Sequence, residues 1–424
     1  MTSVVTVLGG SAVVTPQLAV TLAGAPELAG ERIELRLVGR DAAKLERVVA
    51  AAESLVRGGA RGGVAEVAVS GATDVGAALD GARFVVNQVR AGGLAARAFD
   101  ERFPQQLGLP GEETMGPGGF ANACRTIPVV EALFRLVRER APAAKLLNLT
   151  NPAGIVHQVA DRVGIDVLTL CDSPLTLAAT AAGLAGAAGG EATPGYVGTN
   201  HGGWLTSLRV GGVDVLPRAL ERADELAARL GFDGELLRRL GAVPNVYLRY
   251  VYYPDRQLAA QRAKGRVRAE ELLELESDAL AAYGAGDASS VSERRRAVWY
   301  TECIVPVIGA LVSGRELVTI AGVTNGLLVP WLPPETMLEV PVRVDGDGVG
   351  VLGVEPLAVD SQALLLQNAA YERLTVEAVL AGDREAAVRA LAANPLVPSV
   401  DLAAAAVALI EAEFGAVFGP WAGA

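Results

Sequence analysis

The sequence predicts a doubly wound α/β fold, a parallel sheet covered by helices on both faces, followed by a mixed α+β region. Three observations carry this reading. Short β-branched runs alternate with Ala- and Leu-rich stretches across residues 1–170; those runs are mostly apolar along their length; and the alternation stops near Cys171. Strands buried on both faces read as continuous apolar runs, and strand–helix alternation lays the crossovers over the sheet.

In order, strands are expected at Val4–Leu8, Ile33–Val38, Val64–Ser70, Phe84–Val89 and Lys145–Asn148, with one more just before Cys171. Between them, Pro16–Leu22, Ala42–Ala52, Val75–Leu79 and Ile127–Arg140 read as helices. The Ala/Gly run Ala178–Gly190 reads as a helix end and turn. Beyond it, Gly195–Val210 looks like strand, and long helices are expected from Leu216 to Tyr283. Strands at Val318–Ala321 and Val340–Val344 then precede a helical region from Ser361 to Phe418. The expected division is 1–170 and 171–424.

Composition narrows the function classes. Hydrophobic residues make up 51% of 424 and aromatics 5%, so the core must be built from Ala, Val and Leu. The most apolar segments, Leu175–Gly190 and Leu402–Ile410, fall short of the ~20 residues a membrane span needs. No basic leader precedes Val4–Leu8, so no signal peptide is expected. Three cysteines suggest no disulfide framework and a reducing cytoplasm. A net charge of −11 argues against nucleic acid and obliges any anionic substrate to meet a local pocket of a few arginines.

Several short motifs carry chemistry. Gly9-Gly10-Ser11 follows the first strand and precedes a helix, where backbone N–H groups and a helix N-terminus hold a pyrophosphate. At the end of the second strand Gly39 stands where an acid would bind the ribose hydroxyls, with Arg40 beside it; that leaves room for a 2′-phosphate, so both NAD and NADP stay open. Alternatively Arg40 is a solvated surface residue and Asp41 a helix cap. Thr150-Asn151-Pro152 sets a rigid turn at the carboxyl edge of the sheet. His157 falls within a helix and reads as structural, whereas His201, between Asn200 and Gly202-Gly203, sits in a free loop. Cys171 and His201 are too few for structural zinc but leave open positions that suit a catalytic divalent ion. The aromatic cluster Tyr247, Tyr250, Tyr252 and Tyr253 reads as core or interface, unless one phenol serves as a base.

A longer series of stretches follows in a fixed order. Val7-Leu8-Gly9-Gly10-Ser11, Asn87-Gln88-Val89-Arg90, Gly92-Gly93-Leu94 and Asp100-Glu101-Arg102-Phe103-Pro104 come first. Gly111 to Phe120, Thr150 to Gly154, Cys171 to Pro174, Asn200-His201, Tyr247 to Tyr250 and Tyr371 to Ala378 complete it. This series resembles glycoside hydrolase family four, the NAD- and metal-dependent glycosidases, and spans essentially the whole chain.

The resemblance implies a Rossmann-like dinucleotide domain with Gly9, Gly10, Ser11, Arg40 and Asn87 at the cofactor. It implies Cys171 and His201 as ligands of a divalent metal, typically manganese, and Asn151, Arg97 and Arg268 as contacts to a phosphorylated sugar. Tyr247 matches the base, with Glu113 and Asp172 as acidic site positions. The implied reaction is hydrolysis of 6-phosphoglucosides through transient oxidation at carbon-3, removal of the carbon-2 proton by Tyr247 and loss of the aglycone. A homodimer or homotetramer formed through the second half is also implied. Two departures stand out. Glu112 replaces a common Gln, and Asp172 after the cysteine matches the phospho-α-glucosidases while the Tyr247 segment matches the β branch. The reading leans to β. The rivals are an unphosphorylated-glycoside hydrolase, a hydroxy-acid dehydrogenase, for which no His–Asp relay is evident, and a non-catalytic sugar- or nucleotide-binding regulator.

Overall fold

In the parallel half, apolar strand residues are sealed from water: Val5, Val7, Leu35, Leu37, Val85, Val86, Leu146 and Leu147 are all fully buried. The structure, a computed structural model, describes residues 2–59, 63–187 and 192–415. Its first six strands are β1 (Thr2–Leu8), β2 (Arg32–Val38), β3 (Glu66–Ala72), β4 (Phe84–Asn87), β5 (Lys145–Asn148) and β6 (Val167–Thr169). They lie in the order 3-2-1-4-5-6, all parallel, which is the dinucleotide-binding arrangement. The order reverses between β1 and β4, so the crevice for a ligand opens beyond Leu8, Val38 and Asn87.

The second half extends the same sheet. Its strands are β7 (Thr193–Thr199), β8 (Gly202–Val210), β9 (Val213–Asp214), β10 (Val243–Pro244), β11 (Leu317–Thr324), β12 (Met337–Asp345) and β13 (Gly348–Val351). From β6 the sheet continues β11-β12-β7-β8-β10, with every new pair antiparallel, while β9 pairs with β8 and β13 with β12. One register pair, Thr169 with Gly322, joins the halves.

The expected elements of the first half are present, with β3 displaced to Glu66–Ala72 and the helix from Ala42 running to Gly59. Two expectations are corrected. Gly195–Val210 is a hairpin of two strands, because the chain reverses at Asn200-His201. The region Leu216–Tyr283 is mostly broken into short helices, three of them ended by left-handed Gly231, Gly241 and Gly265, while Arg268–Gly284 runs for 17 residues. The end of the Ala178–Gly190 run, and the closing helical region past Gly415, lie outside the described residues. Among the described residues no helix is long and apolar enough to cross a membrane.

Candidate active site

Two clusters lie at the carboxyl edge of the parallel strands. The first is the loop after β1. Gly9 has φ +79°, and a Cβ there would stand 2.8 Å from the Gln88 carbonyl oxygen. Gly10 donates its N–H to Val38 O at 2.8 Å, and a Cβ on it would strike Leu37 Cα, also at 2.8 Å. Only glycines let the loop lie this close to β2 and β4. Among the described residues the N–H groups of Ser11, Val13 and Val14 have no acceptor, so donors remain free ahead of the helix Pro16–Gly24. Gln88 braces the loop by donating to Gly9 O (3.2 Å) and Thr15 Oγ1 (2.9 Å).

The neighbouring positions divide in role. Gly39 has no room for a side chain, because its Cβ would lie 2.8 Å from Ser11 Cβ. Arg40 is exposed and has no partner among the described residues. Asp41 caps the next helix, accepting from Lys44 N at 3.0 Å. Asn87 is fully buried; its amide donates to Asn148 Oδ1 at 2.9 Å, while its own Oδ1 is left without a partner.

The second cluster forms around the β7–β8 turn. His201 occupies that turn with φ 64°, the one non-glycine residue with positive φ among those described. Such a conformation is uncommon for a side-chain-bearing residue and marks a place to look for function. The carboxylate of Glu112 accepts from the N–H groups of Thr114 (2.6 Å) and Met115 (2.9 Å) and from the Thr114 hydroxyl. With its proton given to Glu112, the Thr114 oxygen is left to accept from His201 Nδ1 at 2.8 Å. The His201 proton therefore sits on Nδ1, and Nε2 keeps its lone pair. Burial lowers the imidazole pKa to about 3, so the ring is neutral. One face of it stacks on Tyr247 with ring centroids 3.6 Å apart and planes 10° from parallel.

Tyr247 is held in a 3-10 turn, Val246–Leu248, and its own N–H donates to Asn245 Oδ1 at 3.2 Å. The same oxygen accepts from Ser173 Oγ at 3.1 Å, tying the turn to the loop of Cys171. Burial, then Glu112, Cys171 and Glu113, push the phenol pKa well above its usual value; Arg97 opposes them weakly. Arg97 alone does not offset burial and these anions. Cys171 stands at the N-cap of the helix Asp172–Ala185, yet burial, Glu339 and Asp172 raise its thiol. Asp172 is half-buried, and burial raises its carboxyl as well.

Acid and base are interleaved here. Arg97 donates to Glu101 at 2.6 Å and pairs with Glu113 at 2.7 Å, and Arg90 also pairs with Glu113. Burial works against the Glu113 charge, but Arg90 and Arg97 win and hold its pKa down. Burial and the adjacent Glu113 raise Glu112 to about 7.

A thiol and a neutral imidazole with a free Nε2 suit a borderline-soft divalent ion. Among the described residues no group of three or more His, Cys, Asp or Glu could hold a metal, and an ion on these two would have open positions.

Comparison with known proteins places this geometry. The model described as Family 4 glycosyl hydrolase matches residues 3–185, and that for the Family 4 glycosyl hydrolase C-terminal domain matches residues 196–397. The chain belongs to glycosyl hydrolase family 4. A 6-phospho-beta-glucosidase of Thermotoga maritima is 29% identical over 77% of this family 4 chain and 79% of its own length. A 6-phospho-alpha-glucosidase of Leptotrichia buccalis is 28% identical over 80% and 82%. A solved structure of the Thermotoga maritima 6-phospho-beta glucosidase with manganese, NAD+ and glucose-6-phosphate superimposes with a TM-score of 0.86 at 26% identity, covering 97% of this chain and 99% of that one.

Within this family 4 chain the remaining expected residues fall into place unevenly. Asn151 is half-exposed with its side-chain amide free among the described residues; its carbonyl accepts from Asn122 Nδ2 at 3.3 Å. Arg268 is exposed and paired with Glu271 at 2.7 Å. Sequence reasoning passed over the Glu112–Thr114 support of His201, and Glu339, whose Oε1 accepts from Asn200 Nδ2 at 2.8 Å. The departure at Glu112 was the only signal. A separate cavity of about 610 Å³, lined by Lys145, Asp161 and Asn325 among others, shares no residue with either cluster.

Proposed function

We propose that this family 4 enzyme hydrolyses 6-phosphoglucosides, β-linked ones in preference, with a nicotinamide dinucleotide and a divalent metal, manganese first. The observation that carries the reading is the stack of His201 on Tyr247, which sets a free imidazole lone pair beside a buried phenol that itself feels the charge of Cys171. Relatives of both anomeric kinds match at similar identity, and the leaning to β rests on the Tyr247 segment.

The residues fit both groups. Gly9, Gly10 and Ser11 present free N–H donors for a pyrophosphate, Asn87 lies at the end of β4, and Arg40 lies at the ribose end of the crevice. Cys171 and His201 Nε2 would hold the metal. When bound, the dinucleotide supplies a reversible hydride acceptor and the ion a Lewis acid for sugar oxygens. Tyr247 takes the carbon-2 proton; burial and the nearby anions keep its phenol protonated, and a cation held by Cys171 and His201 would offset them and free the phenolate to act as base. Glu113, kept ionised by Arg90 and Arg97, orients Arg97, and Asn151 offers its amide to a sugar hydroxyl. Asp172 retains its proton to a higher pH than a free aspartate, which suits a general acid at the leaving oxygen. That same aspartate favours the second reading, a 6-phospho-α-glucosidase. Arg268 serves at the periphery of the phosphate site.

In this reading residues 1–170 hold the dinucleotide, while 171–424 supply metal ligands, base and oligomer contacts. Exposed Leu327, Leu328 and Trp331 support self-association into a homodimer or homotetramer, and three free thiols fit the cytoplasm. The test is nitrophenol release from α- and β-linked nitrophenyl glucoside 6-phosphates, with and without manganese, NAD or NADP, and a reductant. Cleavage of the β substrate that needs both metal and dinucleotide is expected. Cleavage in metal-free, dinucleotide-free protein would remove the mechanism, and net accumulation of reduced dinucleotide would make the chain a dehydrogenase.

A further inference from the structure

An acidic protein that takes a phosphorylated substrate needs cationic charge not already spent on its own carboxylates. The arginines expected to supply it are largely spent. Arg97 is shared between Glu101 and Glu113, Arg90 pairs with Glu113, and Arg268 pairs with Glu271.

Arg295 is different. It is half-buried, and among the described residues its guanidinium donates no hydrogen bond and forms no ion pair. Burial, then repulsion from Arg268, Arg97 and Arg90, lower its pKa, so it shares a neighbourhood with all three. Its backbone is fastened there. Gln17 Nε2 donates to Arg295 O at 2.7 Å, and Ala297 N donates to Gln17 Oε1 at 2.8 Å, which pins the segment to the helix that follows the glycine-rich loop. Five residues on from Arg295, the Tyr300 hydroxyl donates at 2.6 Å to Gln88, the residue that braces Gly9. A half-buried guanidinium near three like charges, with no carboxylate partner among the described residues, is costly unless an anion completes the site.

We propose that Arg295 is the counter-cation of a phosphate group bound between the glycine-rich loop and the Arg90–Arg97 pair. The inference rests on the proposed phosphorylated substrate and dinucleotide, and either can bring that phosphate: the sugar's monoester or the dinucleotide's pyrophosphate. A guanidinium binds a phosphate bidentately, and its planar fork is not replaced in full by an ammonium.

The test is calorimetric titration of the full chain, parent and the variants Arg295→Gln and Arg295→Lys, with glucose 6-phosphate, glucose and NAD in manganese-containing buffer. The expected result is at least a tenfold loss of glucose 6-phosphate affinity in Arg295→Gln, partial recovery in Arg295→Lys, and NAD affinity within twofold of the parent. Ligand-free melting temperature should not fall in Arg295→Gln, because the substitution removes an unpaired cation; this separates a lost phosphate contact from a damaged fold. Tenfold weaker NAD binding with unchanged glucose 6-phosphate would uphold the site and assign its phosphate to the dinucleotide. Both affinities within twofold of the parent would overturn the inference while leaving the proposed function standing. A parent protein that binds neither ligand would sink both.

Discussion

The helix around His157 and the hairpin tip that carries His201 bury the chain's two histidines almost equally, and burial lowers both imidazoles to about 3. By burial and pKa the two are twins. Their partners separate them. His157, inside the helix Ala153–Val163, has Nδ1 2.9 Å from Thr169 Oγ1 and Nε2 3.1 Å from Thr324 Oγ1, so both nitrogens are spent. His201 spends only Nδ1, sits on left-handed backbone, and lays its ring against Tyr247. A buried neutral histidine is a ligand candidate when one lone pair is unspent and its backbone conformation is maintained at some cost.

The largest effect that would break this contrast is on activity. His201→Ala should lower manganese-dependent glycosidase activity by about 100-fold or more, since a ligand should matter at least as much as the outer-shell partners whose loss costs 10–100-fold. His157→Gln should keep activity per folded molecule while losing about 1–3 kcal/mol of stability, as Thr169 or Thr324 is left unpaired in the interior. Assays on both variants, normalised to folded protein by calorimetry, decide it; equal activity losses would erase the distinction.

A smaller effect tests how His201 is aimed. Thr114→Val keeps the shape but removes the acceptor that holds the Nδ1 proton, so Nε2 is no longer the only free lone pair. Manganese affinity measured by titration should fall about 10- to 100-fold, the usual scale for a lost outer-shell partner. Thr324→Val, on the other histidine, should leave manganese affinity alone. The same loss from both would show that the threonines act through general packing.

Both histidine positions are legible in the sequence. Flanking glycines marked His201 as loop, and an apolar helix marked His157 as core, because those signals are local. The parallel strands were readable for the same reason, their apolar runs being continuous. The helix Gly93–Gln106 and the start of Gly116–Arg140 were not, since Gly116-Pro117-Gly118-Gly119 reads as loop. The fold needs those glycines in a helix: at Gly118 a Cβ would run into the carbonyl oxygens of Glu112 and Asp100. The Thr114–His201 bond spans 87 positions and has no period to betray it. Arg295 sits in the run Glu293-Arg294-Arg295-Arg296, which reads as solvated charge. Only the fold shows that Arg294 reaches Asp278 at 3.3 Å while Arg295 is half-buried without a partner among the described residues.

The smallest effect sharpens the comparison through pH. Burial, with Lys145 adding repulsion, lowers His157 to about 3, whereas in the unfolded chain an imidazole takes its proton near 6.5. A folded-state pKa below the unfolded value means that the unfolded chain binds the extra proton as pH falls from about 6.5 toward 3. Stability is therefore lost across that window, by about 2 kcal/mol per histidine between pH 7 and pH 5. Buried carboxylates run the other way: Glu372, raised to about 8 by burial, favours the folded state below about 4.5 and gives that up as pH rises through 8. The difference between parent and variant cancels the carboxylate contribution and isolates the histidine. His157→Gln should start less stable at pH 7 but lose about 2 kcal/mol less than the parent on going to pH 5, measured by calorimetry at both values. Parallel losses would mean that His157 protonates in the folded state, and the contrast with His201 would then have to rest on geometry alone.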